Sequence, residues 1–233
     1  MKKLEAKNFL EQYEQMSQVI SDISKEAKKI INKVFGDDIL LPIDVRKIAE
    51  YYGVNIVETD LSIIPHIPTN RVLGHLVHRD STYYIEIERR VDSFTQRYSI
   101  AHELGHYIID MEKDNDKRGM SIDETYSMPL LSSDPEEYMA DVYAIFLLLP
   151  LDCFFKEFSN FLNDYADNGL PYSNKYPVNI DDWLLKLSKK VEIPNYNLAF
   201  AYDYIRAAAY QHYESIKKKS IFEQFKQYAY LFM

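Results

Sequence analysis

The sequence predicts an α+β fold in which a small antiparallel sheet packs against two central helices, with further helices at both ends. Three short runs with strand character, Val54–Glu58, Arg71–His78 and Thr82–Glu88, supply the sheet. In the last run Tyr83, Ile85 and Ile87 alternate with Tyr84, Glu86 and Glu88, as in a strand with one buried face. Segments of helical period lie before and after these runs rather than between them, which separates the fold from an alternating α/β design. The chain has 233 residues, 47% hydrophobic and 27% charged, enough for a substantial core, and 6 Gly and 9 Pro exclude a fibrous or low-complexity chain.

Each element follows from local pattern. From Leu4 to Val34, Phe9, Tyr13, Met16, Ile20, Ile23, Ala27, Ile30 and Val34 recur at spacings of four and three, a heptad seam on a helix. That seam can pack on its own domain, or face a partner or a second copy of the chain. Ser21-Asp22 is placed to cap a second helix and split the segment, and Gly36-Asp37-Asp38 ends it. Pro42 opens a shorter helix with Val45, Ile48, Ala49 and Tyr52 on one side and Gly53 as terminator. A turn-rich loop with Pro65 and Pro68 joins the first two strands. Val91–Asp110 reads as a helix, Met111–Ser133 as a long polar connection and Asp134–Leu149 as a second helix. Residues 163–179, with Gly169, Pro171 and Pro177, form another loop before two or three terminal helices. The expected organisation is an N-terminal helical extension (1–36), a central domain (37–160) and a C-terminal loop and helical region (161–233).

Charge and cysteine content narrow the function. A net charge of −9 argues against direct nucleic-acid binding, which needs clustered cations, and Lys217-Lys218-Lys219 reads as a solvated face. The single cysteine, Cys153, excludes a disulfide framework or a multi-thiolate zinc site and suggests a reducing compartment. Lys2 and Lys3 are not followed by the apolar run of a signal peptide. The longest apolar stretch, Ala144–Leu151, falls far short of the roughly 20 residues a membrane helix needs. A cytoplasmic protein with no membrane partner is expected.

The chemistry lies in His102-Glu103-Leu104-Gly105-His106, an H-E-x-x-H pattern. On a helix, residues four apart share a face, so both imidazoles can grip one metal ion while Glu103 faces its water. The motif sits inside a helical pattern whose apolar side is Phe94, Tyr98, Ala101, Leu104 and Ile108. Gly105 in mid-helix suggests close approach by a neighbouring backbone. A catalytic zinc site has three protein ligands. A metzincin would place its third histidine where Glu112 stands, and Cys153 lies beyond Pro150. Carboxylates of the second helix remain: Glu137 and Asp141 are four apart, which suits a ligand and a carboxylate that orients a ligating imidazole. Asp134 and Pro135 also form a helix start that makes Glu137 the N3 residue of a capping box, and Glu137 cannot easily do both. The need for a third ligand favours the metal.

Two stretches carry a family resemblance. Gln96-Arg97-Tyr98-Ser99-Ile100-Ala101-His102-Glu103-Leu104-Gly105-His106-Tyr107 resembles the signature of the ImmA/IrrE metallopeptidases. Glu137-Tyr138-Met139-Ala140-Asp141-Val142-Tyr143-Ala144-Ile145-Phe146-Leu147-Leu148-Leu149-Pro150 resembles that family's second motif, with Leu149 where Met is usual. The resemblance covers about residues 40 to 150. It implies a zincin-like peptidase fold in which His102, His106 and Glu137 hold one Zn²⁺ (Mn²⁺ is also suited), Glu103 is the general base and Asp141 supports a ligand. It further implies a bacterial endopeptidase that cuts a helix-turn-helix transcriptional repressor. The alternatives are a non-catalytic, metal-stabilised binding module acting through the Phe9–Val34 seam or the terminal helices, and a hydrolase of small amides.

Other residues carry less. His66, His75, His78 and His212 read as surface or strand histidines, with His75 and His78 on opposite faces of their strand. Tyr126 or Tyr143 could donate to a developing oxyanion, although Tyr143 reads better as core. Glu112, Asp114, Asp116, Asp123 and Glu124 lie on the connection between the two metal-bearing helices, which is either a lid or a solvated link. Thr82–Glu88 is either an ordinary sheet strand or an edge that an extended peptide could join.

Overall fold

A computed structural model describes residues 2–37, 39–61, 73–114, 134–167, 180–194 and 197–198. Six helices and three strands fall within them, in the order α1 (Lys2–Phe35), α2 (Val45–Tyr51), β1 (Asn55–Thr59), β2 (Gly74–Arg79), β3 (Thr82–Glu88), α3 (Ser93–Asp114), α4 (Pro135–Leu148), α5 (Leu151–Asp167) and α6 (Ile180–Val191). The α+β class is therefore as the sequence predicts.

Helix α4 is the centre of the core. From Tyr138 to Leu149 every residue except Asp141 is buried, as expected of a helix that is apolar almost all round. Helix α3 packs along one side of it and α1 along another, while β2 and β3 lie across α3. The C-terminal part of the α1 seam packs on its own chain, with Ile20, Ile23, Ala27 and Ile30 in the common core, whereas the side chains of Phe9, Tyr13 and Met16 lie outside the described residues. Ser21-Asp22 does not split α1. Ser24 donates its hydroxyl to the Ser21 carbonyl and Asp22 pairs with Lys25, so both motifs are absorbed within a continuous helix.

Helix α2 starts three residues after the expected proline. Asp44 caps it by accepting from the Arg46 N–H, and Pro42 sits before the cap in a cis peptide with Leu41. Gly53 ends the turn after α2 at φ +69°, a conformation that favours glycine. Helix α3 is capped by Asp92, whose Oδ1 accepts from the Phe94 and Thr95 N–H groups, and it runs one turn past the expected Asp110. Helix α5 begins directly after Pro150, so the α4 register is broken rather than continued. No single helix among the described residues is long and apolar enough to cross a membrane.

The sheet is mixed rather than wholly antiparallel. Its order is β1-β3-β2; β2 and β3 form an antiparallel hairpin, and β1 runs parallel to β3 from Asn55↔Tyr84 to Thr59↔Glu88. Strand period reports which face is buried but not which neighbour a strand takes, so the parallel pair is invisible locally. The hairpin turns on Asp80 and Ser81, both at positive φ (49° and 61°), as a two-residue turn of matching twist requires. Strand β3 is thus central and cannot be the free edge. Among the described residues the side of β2 away from β3 carries no strand, so β2 is the edge nearest α3.

Central placement also buries the polar face of β3. Glu86 and Glu88 are 9% and 5% exposed, contrary to the one-sided pattern. Arg79 meets Glu86 at 2.6 Å across the hairpin. Glu88 accepts from Arg90 Nε at 2.7 Å and from the Arg90 and Leu61 N–H groups at 3.0 Å. The Arg90 guanidinium beside it holds the Glu88 carboxyl down at about 2.

Candidate metal centre

The H-E-x-x-H residues lie near the middle of α3, and the elements around them were chosen by packing. Gly105 faces α4: a Cβ added there would stand 2.9 Å from both Cα and the carbonyl oxygen of Ala140 and 3.1 Å from Tyr143 Cβ. No larger residue lets the two helices approach so closely. That approach brings the first turns of α4 beside the histidines. Asp134 caps α4 by accepting from the Glu136 N–H, and the Glu137 carboxylate lies against α3. Its Oε2 is 3.2 Å from His102 Nε2 and its Oε1 is 3.4 Å from His106 Nε2. The two Nε2 atoms are 3.2 Å apart, with the rings at 78°.

His102, His106 and Glu137 therefore each offer one ligand atom, all within 4.8 Å of one another, and together can hold a metal ion. The donor set fits a divalent zinc-like ion, with two imidazole nitrogens and one carboxylate oxygen. The surrounding field fits too. Asp141 Oδ1 lies 2.9 Å from His102 Nδ1, which fixes the ring with Nε2 turned toward the cluster. Burial opposes charge on His102, but its bonds to Asp141 and Glu137 win and raise it to about 10. His106 goes the other way, lowered by burial and by the neighbouring His102, while the bond to His102 lowers Glu137. The Glu137 and Asp141 carboxylates, 2.9–3.4 Å from the ring nitrogens, favour positive charge at this centre.

Glu103 sits on the sheet side of α3 and is 7% exposed. Burial raises its carboxyl to about 7 against the pull of His102, and the Leu76 N–H hydrogen-bonds it from β2. So the five residues singled out in the sequence, His102, Glu103, His106, Glu137 and Asp141, come together at the α3–α4–β2 junction. His75 and His78 do not join them: His75 is opposite Glu86, and His78 stacks on Tyr83 with centroids 4.3 Å apart. Cys153 is on α5 and is raised by burial. Tyr143 is fully buried on α4 beside Gly105, a packing position. Tyr126, His66, His212, Lys217-Lys218-Lys219 and the acids of the 112–124 connection lie outside the described residues or side chains.

Sequence reading missed two participants. Tyr98, assigned to the apolar side of α3, donates its hydroxyl to the same Asp141 Oδ1 at 3.0 Å. It stands four residues before His102, so it shares that histidine's face, and this spacing was the available signal. The other is the start of β2, where Gly74 lies against Glu103; nothing in the strand's period marks it.

Comparison with protein families matches residues 49–176, more than half of the chain, to the IrrE N-terminal-like domain, a peptidase family. Comparison with curated proteins finds no match.

Proposed function

The chain belongs to the IrrE N-terminal-like peptidase family, and from that premise we propose that it is a zinc-dependent endopeptidase with Glu103 as general base. His102 and His106 through Nε2, and Glu137 through a carboxylate oxygen, would hold one zinc ion, in a donor set that manganese also suits. When bound, the ion supplies Lewis acidity toward a carbonyl oxygen and a water of lowered pKa. Asp141 keeps the His102 ring aligned by taking its Nδ1 proton in a hydrogen bond. Glu103 accepts the proton of the attacking water on its carboxylate and passes it to the leaving amine. Burial of Glu103 raises its carboxyl above the ordinary range, which suits a group that takes up and returns a proton.

The observation that carries this reading is a buried carboxylate placed beside the three-residue cluster but outside its ligand set. A purely structural metal has no use for Glu103. A peptidase acts on a protein, and the ImmA/IrrE resemblance favours a helix-turn-helix repressor, met in the cytoplasm. Among the described residues no strand covers the outer edge of β2, so an extended segment of such a substrate could add there, beside the Leu76 N–H that Glu103 takes.

Elemental mass spectrometry of the purified protein tests the site. About one zinc per chain in the parent and far less in Glu137→Ala is expected. Glu103→Gln should keep the zinc and lose cleavage of a helix-turn-helix repressor, followed by mass spectrometry of the fragments. Zinc retained in Glu137→Ala, or lost in Glu103→Gln, would overturn the assignment of roles.

A further inference from the structure

The general base is held from the sheet side by an element outside both motifs. Gly74 and Leu76 are two apart on β2, so they address the same side of the strand, and β2 packs on α3. A Cβ added at Gly74 would lie 2.9 Å from Glu103 Oε1, 3.0 Å from its Cγ and 3.3 Å from its Cδ. The space that a side chain would fill at position 74 is therefore occupied by the Glu103 side chain. Glu103 is 7% exposed, so it has little room to swing away. The Leu76 N–H supplies the hydrogen bond that this buried carboxylate needs.

We propose that Gly74 and the Leu76 amide are the positioning elements for Glu103: the glycine leaves its berth and the amide anchors its carboxylate. This rests on the reading of Glu103 as general base. Both contacts are made to Glu103, so the device acts on the base and not on metal capture. An alanine at position 74 is compatible with a strand, and its cost falls on the Glu103 side chain rather than on the sheet. A base displaced by about 1 Å loses on the order of 100-fold in rate.

The test uses the full chain, zinc-loaded, in parent, Gly74→Ala and Glu103→Ala forms. Leu76 amide exchange by NMR is read beside zinc content and hydrolysis of fluorescein-labelled casein. The Leu76 amide is expected to be protected in the parent and to exchange at least about tenfold faster in Glu103→Ala, since a lost hydrogen bond is worth about that factor or more. Gly74→Ala should weaken the same protection, keep its zinc, and lower kcat roughly 10- to 100-fold with KM unchanged. Equal Leu76 exchange in parent and Glu103→Ala would overturn the anchor, and full kcat in Gly74→Ala would overturn the berth. If the parent leaves casein intact, the peptidase reading loses support while the exchange comparison still decides the positioning claim.

Discussion

Replacing Gly105 by alanine tests whether the α3–α4 approach sets the metal site. The new methyl would sit 2.9 Å from two backbone atoms of Ala140, against an optimum of about 3.5–4.0 Å, so the helices must part by about 0.6–1 Å. Neither obstacle is the tip of a flexible side chain; Ala140 and Tyr143 are both fully buried. Alanine gains about 1 kcal/mol in helix propensity over glycine. Overpacking costs about 1–3 kcal/mol, and a rigid, buried contact belongs at the upper end of that range. The net expected loss is about 1–2 kcal/mol, or a fall in Tm of about 2–8 °C for a chain of this size. The same movement widens the 3.4 Å gap between Glu137 and His106, because Gly105 adjoins His106 and Ala140 lies one turn after Glu137. Zinc affinity should then drop about tenfold, as it does when ligand-supporting groups are disturbed. Circular dichroism melts with and without zinc, together with chelator competition, measure both effects. A Tm that rises, at unchanged zinc affinity, would show that propensity outweighs the contact and refute the argument.

Three further outcomes are expected. Tyr98→Phe removes one of two donors to Asp141 Oδ1 and should weaken zinc binding about tenfold in a chelator competition; unchanged affinity would make the hydroxyl incidental. Glu88 has a folded pKa of about 2 against an ordinary 4.5, so its contribution is complete above about pH 4.5 and is lost as pH falls toward 2. Glu88→Gln should therefore be less stable than the parent near neutrality, with the difference shrinking over that acid window in urea titrations; a constant difference would contradict it. Arg97 donates from Nη2 to the Ile43 and Val191 carbonyls and lies 3.3 Å from Glu192, tying α3 to the start of α2 and the end of α6. Arg97→Met should cost about 1–3 kcal/mol and speed amide exchange in α6, and an unaffected α6 would show that the tie is not holding it.

What could be read from the sequence is what depends on residues close along the chain. The H-E-x-x-H spacing, the close approach at Gly105 and the helical frames of α3 and α4 are all of this kind. Glu137 shows the boundary. Helix grammar by itself favoured a cap over a ligand, because the grammar knows α4 alone; its carboxylate turns to His102 and His106 only once α3 lies alongside. The parallel β1–β3 pair, the burial of Glu86 and Glu88 and the contact of Gly74 with Glu103 need the whole fold, since each depends on an element more than ten residues away. Tyr98 is intermediate: its face was given by spacing, but its partner sits on another helix.

Asp141 shows why the two central helices are built as they are. It is the one residue between Tyr138 and Leu149 that escapes burial, on a helix otherwise given over to apolar contact. A carboxylate in such surroundings costs stability unless its oxygens are well paired, and a fully apolar residue would serve the core as well or better. Here one oxygen is shared by the Tyr98 hydroxyl and the His102 ring. The charge is thus spent on the orientation of an imidazole, not on holding α3 to α4, which Gly105 and the apolar face already achieve. Core and site divide the labour along the same helix pair: apolar packing fixes the distance between helices, and the few polar residues fix the angles of the groups that work.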